Sequence, residues 1–557
     1  MACIQTLAKS LFVLAWTTSA GGGFLHHSGR HFQVGDLEFQ EALATVMGCS
    51  ASGRSGREKL QSIETTLTPM WSVAPKNKDG RVDWRMVRYL VHRYFVQSSS
   101  LLIRGLEPAR QVNESDAGTA EILRRRMPTL AGMLEGKRGG LGFSLEDVTA
   151  VVAALERVIA DAETSLLEVV YESEHVSPAQ SLTHKQLTKI IENYMVRWIV
   201  NEPESVKILL QKPALLAEHI PQWEAIRHFS EGLVKTMEFA RARTPREGQG
   251  MNSMTQRYSF EDAQDAVTSI TKTFASFWEN ECQSIKASLL TMDKSTTGRV
   301  LLSDFYAAKA AGEWRFAESE DYLRELGALD DTSRYAKKVI IPNYLQGPNN
   351  CLVTNEHYFV CCVNECETVL ADIEEAVGSP VASPSEILRP LENLTSFDDE
   401  PLRLKGMLTT QLERIAETHG GKVPLHGRLF AQWLHYAMPR ECPFPHKAGT
   451  TAALPPLEFG NYMVSDADAG LHASARGADL EELSEAQGMA QWSDEEELIA
   501  DYSLQLRAPW QGYRASTPVG LALLALVAFA LKTAMDRSEG KAAAGGFGLS
   551  EPKAHFV

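Results

Sequence analysis

The sequence predicts a mainly α-helical, multi-helix ectodomain with a small β element, followed by one C-terminal transmembrane helix. Three observations predict it. Apolar residues recur at helical spacing over most of the chain before His446. A twelve-residue, oxygen-rich stretch from Asp293 to Asp304 separates two such helical segments. Near the end, Val519 to Leu531 is continuously apolar.

The helices come first. Val87, Leu90, Val91 and Tyr94 share one face of a segment starting near Trp84. Ser144, with Asp147 three residues on, has the form of a helix N-cap leading into a long helix through about Tyr171. Ile190, Ile191, Tyr194, Met195, Trp198 and Ile199 stripe another helix that starts near Ser181. A further one runs from Pro221 to Arg243. The polar, Gly-containing break from Thr244 to Ser253 marks a domain boundary. Val339 to Ile341 reads as a strand, with Leu352–Thr354 and Tyr358–Val360 as weaker ones. Ser379 to Pro390 is Pro-rich and reads as a linker.

The Asp293 stretch has the outline of an EF-hand calcium loop. Asp293, Ser295, Thr297 and Asp304 place side-chain oxygens at loop positions 1, 3, 5 and 12, and the Arg299 carbonyl serves position 7. Gly298 falls where the loop turns sharply, and Val300 where paired loops join. Ile285, Leu289 and Met292 before it and Phe305 after it give helix–loop–helix. The set is weak for calcium: Leu301 holds no water at position 9, and Asp304 is shorter than the usual bidentate Glu. A second, more decayed loop runs from Pro75 to Met86, with Asn77, Asp79, Gly80, Val82 and Asp83 in register but neither terminal ligand. A plain Asp-Gly turn is the ordinary reading there.

The two ends speak to location. Leu11 to Trp16 behind Lys9, with Thr17 to Ala20 as a cleavage site, reads as a signal peptide over 1–20. Residues 515–535 have the length and apolarity of a membrane span, flanked by Trp510 and Tyr513. Lys532, Arg537 and Lys541 favour a cytosolic tail over 536–557, giving a single-pass type I protein of the secretory pathway or cell surface, or of an organelle membrane. Cys351, Cys361, Cys362 and Cys366 cluster as one or two disulfides of undetermined connectivity in an oxidising lumen. Asn113 and Asn393 begin N-glycosylation sequons.

The remaining domains are a helical one over 40–245, a second over 255–446 that carries the loop and the cysteines, and an acidic stalk over 447–514. A net charge of -16 excludes nucleic acid as the main partner, since phosphate binding needs a basic surface. His426, His435, Cys442 and His446 form a ligand-rich segment and the seat of a rival, metal- or thiol-dependent reading. The bland reading of that segment is an amphipathic helix packing Leu429, Phe430 and Trp433, with Cys442 in a disulfide. GxSxG, HExxH and P-loop signatures are missing from the chain.

Gly80 to Arg85, Ser100 to Pro108, Phe274-Ala-Ser-Phe-Trp278, Ile341 to Gly347 and Leu425 to His435 together resemble a group of uncharacterised dinoflagellate proteins, EF-hand-containing or single-pass membrane proteins. The likeness spans about Thr68 to His446. It implies calcium binding at most and no activity. The expectation is therefore a membrane-anchored calcium-binding interaction or scaffold protein without catalytic activity, with Ca2+ held weakly or not at all and a protein partner of unknown kind.

Overall fold

The computed structural model describes residues 54–107, 119–137, 142–200, 202–220, 222–243, 257–310, 315–333, 336–354, 357–391, 406–452, 454–474, 489 and 491–506. The signal segment, both sequons and the apolar stretch 515–535 lie outside them. Among the described residues no helix is long and apolar enough to cross a membrane. The described residues are mainly helical, with short strands.

One local pattern recurs. A helix ends in a loop, one or two loop residues extend and bond to another loop, and a capped helix leaves. Helices α1 (Arg54–Ser72) and α2 (Trp84–Ser99) flank the first such loop. Strand β1 (Leu101–Ile103) and α3 (Glu121–Arg126) lead to α4 (Pro128–Lys137) and α5 (Leu145–Ser173), which flank the second. Val82 and Phe143 join the two loops, each N–H donating to the other's carbonyl at 3.0 and 2.9 Å.

Helix α5 is also the incoming helix of the next loop. It is followed by α6 (His184–Val200), α7 (Pro203–Gln211), the short α8 (Leu216–His219), α9 (Trp223–Arg243) and α10 (Phe260–Met292). Leu182 and Tyr258 make the same reciprocal bridge at 2.7 and 2.9 Å. Helix α10 then enters the Asp293 loop. Strand β2 (Arg299–Leu301), α11 (Leu302–Ala310), α12 (Glu320–Glu325), β3 (Leu329–Asp330), β4 (Lys338–Ile340) and α13 (Ile341–Gln346) build the third pair, with Val300 opposite Val339. After β5 (Tyr358–Val360), which pairs with β1, the fourth pair comprises α14 (Glu365–Val377), β6 (Val381–Ala382), α15 (Pro384–Leu391), α16 (Met407–Thr418), β7 (Val423–Pro424) and α17 (Arg428–Ala437). There Ala382 faces Val423.

The outgoing helices start where they do because of their caps. A side chain just after the bridging residue accepts an otherwise orphaned N–H of the first turn. Asp83 caps Met86, and Ser144 with Asp147 and Ser259 with Asp262 form reciprocal capping boxes. Thr183 with Gln186 makes the same exchange. Glu386 accepts both the N–H and the hydroxyl of Ser383, and Pro384 fits the first helical position, so the expected linker over Ser379–Pro390 is a strand and a helix.

Three cores lie under this framework. The first gathers the first two pairs, from Ile63 to Ala275, with Tyr358 and Val360 of β5. It is continuous across the boundary expected at 244–253, because α10 packs its first half there and sends Ile285 and Leu289 into a second core around Val300, Phe305, Tyr322 and Val339. The third core belongs to the fourth pair and centres on Ile373, Leu412 and Trp433. Disulfides Cys282–Cys362, Cys351–Cys361 and Cys366–Cys442 cross-link these parts.

The expected acidic stalk is also partly folded. Segment 456–459 forms α18 (Pro456–Phe459), and α19 (Asp466–Ser474) follows it. Glu496 accepts the Leu429 N–H, Glu497 accepts the Ala448 N–H, and Lys447 pairs with Glu495. Glu496 is thereby held by the fourth pair, and Glu497 by the loop after it.

Replacing Ser259 by Ala leaves the Asp262 N–H without its cap and lowers stability by about 1 kcal/mol, measured by urea unfolding. Ser259→Thr, which keeps the hydroxyl, recovers most of it.

Candidate functional site, a loop closed by an internal cation

Helix α10 delivers Asp293 to the start of the loop as its C-terminal cap residue. The carboxylate is fully enclosed. Its Oδ1 accepts the Thr297 N–H at 3.1 Å, and its Oδ2 accepts the Gly298 N–H at 3.0 Å. Arg440 Nε donates to the same Oδ2 at 3.0 Å, with the Asp293 side chain 0% and the Arg440 side chain 15% exposed. A guanidinium therefore sits on the carboxylate that opens the loop.

Gly298 allows this approach. Its φ is +68°, and a Cβ there would fall 1.8 Å from the Pro439 carbonyl oxygen. Only glycine fits both the left-handed backbone and the contact. The Pro439–Cys442 turn that follows α17 is thus laid directly over the loop.

The other expected ligands are placed as follows. Ser295 is exposed and Thr297 half-buried. Asp304 lies buried on the first turn of α11, with Lys294 Nζ 3.7 Å from its Oδ2. Arg299 opens β2 opposite Ile340, and its guanidinium bonds Asp330 at 3.1 Å, Gln491 at 3.0 Å and the Thr297 carbonyl at 3.3 Å. Each carboxylate of the loop has a basic side chain of the protein beside it.

The histidine segment is dispersed by the fold. His426 Nε2 meets Glu374 Oε1 at 2.7 Å, and its Nδ1 meets the Tyr502 hydroxyl at 2.8 Å. Arg93, fully enclosed, bonds the same Glu374 at 2.7 Å and Glu367 at 2.6 Å. Burial works to raise the Glu374 carboxyl, but His426 and Arg93 outweigh it and hold it below the usual carboxylate value. His435 Nδ1 meets the Cys442 carbonyl at 2.7 Å, and burial holds this imidazole well below its ordinary pKa, so it is neutral and donates. His446 Nε2 meets the Gly327 carbonyl at 2.7 Å. Among the described residues no group of three or more His, Cys, Asp or Glu side chains is placed to hold a metal ion.

The turn, the Cys282–Cys362 disulfide and the Lys286–Glu365 ion pair wall a cavity of about 20 Å³, room for roughly one water.

The early Pro75 loop adopts the same local form as the Asp293 loop. Asn77 Oδ1 accepts the Asp79 and Arg81 N–H groups, both at 3.0 Å, and Gly80 has a φ of +73°. The Asn77 side chain here does for the loop amides what Asp293 does in the later one.

Glu163 is among the buried acids that sequence reasoning missed. Glu163 lies in the first core, where the Tyr358 hydroxyl donates to it at 3.2 Å and the Trp198 indole donates to that hydroxyl at 3.3 Å. Burial pushes its carboxyl up to about 7, against the opposing pull of Tyr358, Thr271 and Lys272. The signal was in the helix itself: Ile159, Glu163, Leu167 and Val170 share one apolar stripe.

No family model matches the chain, and no curated protein and no solved structure matches it either.

Because the folded Glu163 binds its proton more tightly than the unfolded one, its stabilising share is full at low pH and lost as pH rises through about 7. Glu163→Gln removes that dependence. Relative to the unaltered protein, the variant gains about 2–3 kcal/mol of stability between pH 5 and pH 8, read by urea unfolding at both.

Proposed function

We propose that the chain is a non-catalytic interaction scaffold assembled from paired EF-hand-like units and tethered to a membrane through 515–535. In its resting state a guanidinium takes the place of calcium. The observation that supports this reading is the Asp293 loop itself: strand-paired through Val300 and Val339, turned at Gly298, and closed by Arg440 rather than left open. An EF-hand loop needs a cation to balance its carboxylates. Arg440 and Lys294 supply one from within the protein.

Calcium at this loop would use Asp293, Ser295, Thr297, the Arg299 carbonyl and Asp304. It has to displace Arg440 from a carboxylate that also holds two backbone N–H groups. Binding is weak for that reason, in the range of about 10⁻³ M or above. The partner is a protein, and the net charge of -16 favours one with a basic surface. The rival enzyme reading draws no support from the geometry: His426, His435 and His446 bond separate partners, and Cys442 is in a disulfide.

Thermal unfolding tests this. With EDTA or with calcium up to 0.1 mM (an order-of-magnitude ceiling for a sensor loop, about 10⁻⁴ M), the melting temperature stays the same. Asp293→Ala removes the buried carboxylate that two loop amides and Arg440 bond, and costs about 3 kcal/mol with or without calcium. A rise in melting temperature at micromolar calcium, abolished by Asp293→Ala, contradicts the reading and makes the loop a sensor.

A further inference from the structure

The Arg440–Asp293 ion pair closes a ring that is otherwise covalent. Cys282 lies on α10, the helix that ends at Asp293, and is bonded to Cys362. A short stretch of chain leads from Cys362 to Cys366, which is bonded to Cys442. Arg440 lies two residues before Cys442 and returns to Asp293, so two disulfides and one ion pair complete the circuit. The Lys286–Glu365 pair at 2.7 Å braces it from within.

The ring decides how hard Arg440 is to displace. A group held on a short, rigid tether competes at a high effective concentration, and cutting the tether lowers that concentration without changing any contact. The Pro439–Cys442 turn is neither helix nor strand. Its other ties include hydrogen bonds: Cys442 N–H to the Met438 carbonyl at 2.9 Å, His435 to the Cys442 carbonyl at 2.7 Å, and Phe444 N–H to Asn343 at 2.7 Å. Cys366 is partly exposed, whereas Cys282, Cys362 and Cys442 are buried, so of the two ring disulfides only this one has a residue that is not fully enclosed.

We propose that the Cys366–Cys442 disulfide is a redox latch on the Asp293 loop, and that its reduction frees Arg440 and opens the loop to a divalent cation. The inference rests on the loop being a cation loop. In the reaction a dithiol reductant attacks Cys366 Sγ as its thiolate, and the Cys442 thiolate leaves. The mixed disulfide is resolved by the reductant's second thiol. The products are two protein thiols, after proton uptake at Cys442 and Cys366, and one oxidised, cyclic disulfide of the reductant. The freed turn then holds Arg440 on a looser tether, and calcium competes for Asp293 and Asp304.

The test is calcium binding by equilibrium dialysis on the full chain in detergent. Oxidised protein, Arg440→Gln, the Cys366→Ser/Cys442→Ser pair, and Arg440→Gln with Asp293→Asn are compared. Arg440→Gln is expected to bind calcium at least about tenfold more tightly than the oxidised protein, and the serine pair to move the same way. Asp293→Asn is expected to abolish the gain. If Arg440→Gln gains affinity and the serine pair does not, the latch is overturned while the loop remains a cation loop. If Arg440→Gln gains none, the cation-loop reading fails and the latch with it. Should the serine pair misfold, partial reduction of the unaltered protein decides the same question: species reduced only at Cys366–Cys442, assigned by alkylation and mass spectrometry, either bind calcium more tightly or do not.

Discussion

Two reciprocal backbone hydrogen bonds between one loop and another are what the rest of this structure depends on. A loop joining two helices exposes polar backbone groups that the helices cannot satisfy. Here one residue of each loop extends and exchanges N–H and carbonyl with its counterpart, as Val82 does with Phe143 and Leu182 with Tyr258. The exchange fixes where the outgoing helix starts, because the cap follows at once. It also brings four helix ends together around one point. Since α5 and α10 each leave one pair and enter the next, the position of one bridge constrains the following one through a rigid helix.

The Asp293 loop shows how such a framework holds a buried charge. Its carboxylate organises two loop amides and is balanced by a guanidinium from a distant turn. The Pro75 loop goes further, with the neutral Asn77 amide oxygen organising its amides and needing no cation. The two loops keep the same turn glycine and the same bridging valine. The loop geometry therefore rests on backbone bonds and the bridge, and the identity of the charge at its first positions is free to change.

Much of this was legible in the residues. The helix around Asp293, the Gly298 turn, the Val300 junction and the strand at Val339 all follow from local spacing, and the structure has them. The capping pairs Ser144–Asp147 and Ser259–Asp262 were equally local, and only the first was read. Arg440 was out of reach because its partner is 147 residues away and nothing near it in sequence marks it as a ligand. The same holds for the pairing of Leu182 with Tyr258. Ser379 to Pro390 misled because proline density reads as a linker, whereas Pro384 stands at the one helical position that suits it. The acidic stretch at Glu495–Glu497 misled because a charge block reads as solvated, whereas Glu496 and Glu497 accept backbone amides of the fourth pair and the chain beyond it, and only Glu495 stays exposed.

Amide hydrogen exchange at the bridging residues tests the pairing most directly. The account predicts that the N–H groups of Val82, Phe143, Leu182 and Tyr258 exchange as slowly as mid-helix amides of α5, since each is bonded across a pair and opens only with it. Exchange at the rate of the exposed amides at Lys78 and Ser295 would contradict it, and would mean that the loops are neighbours in space without being joined.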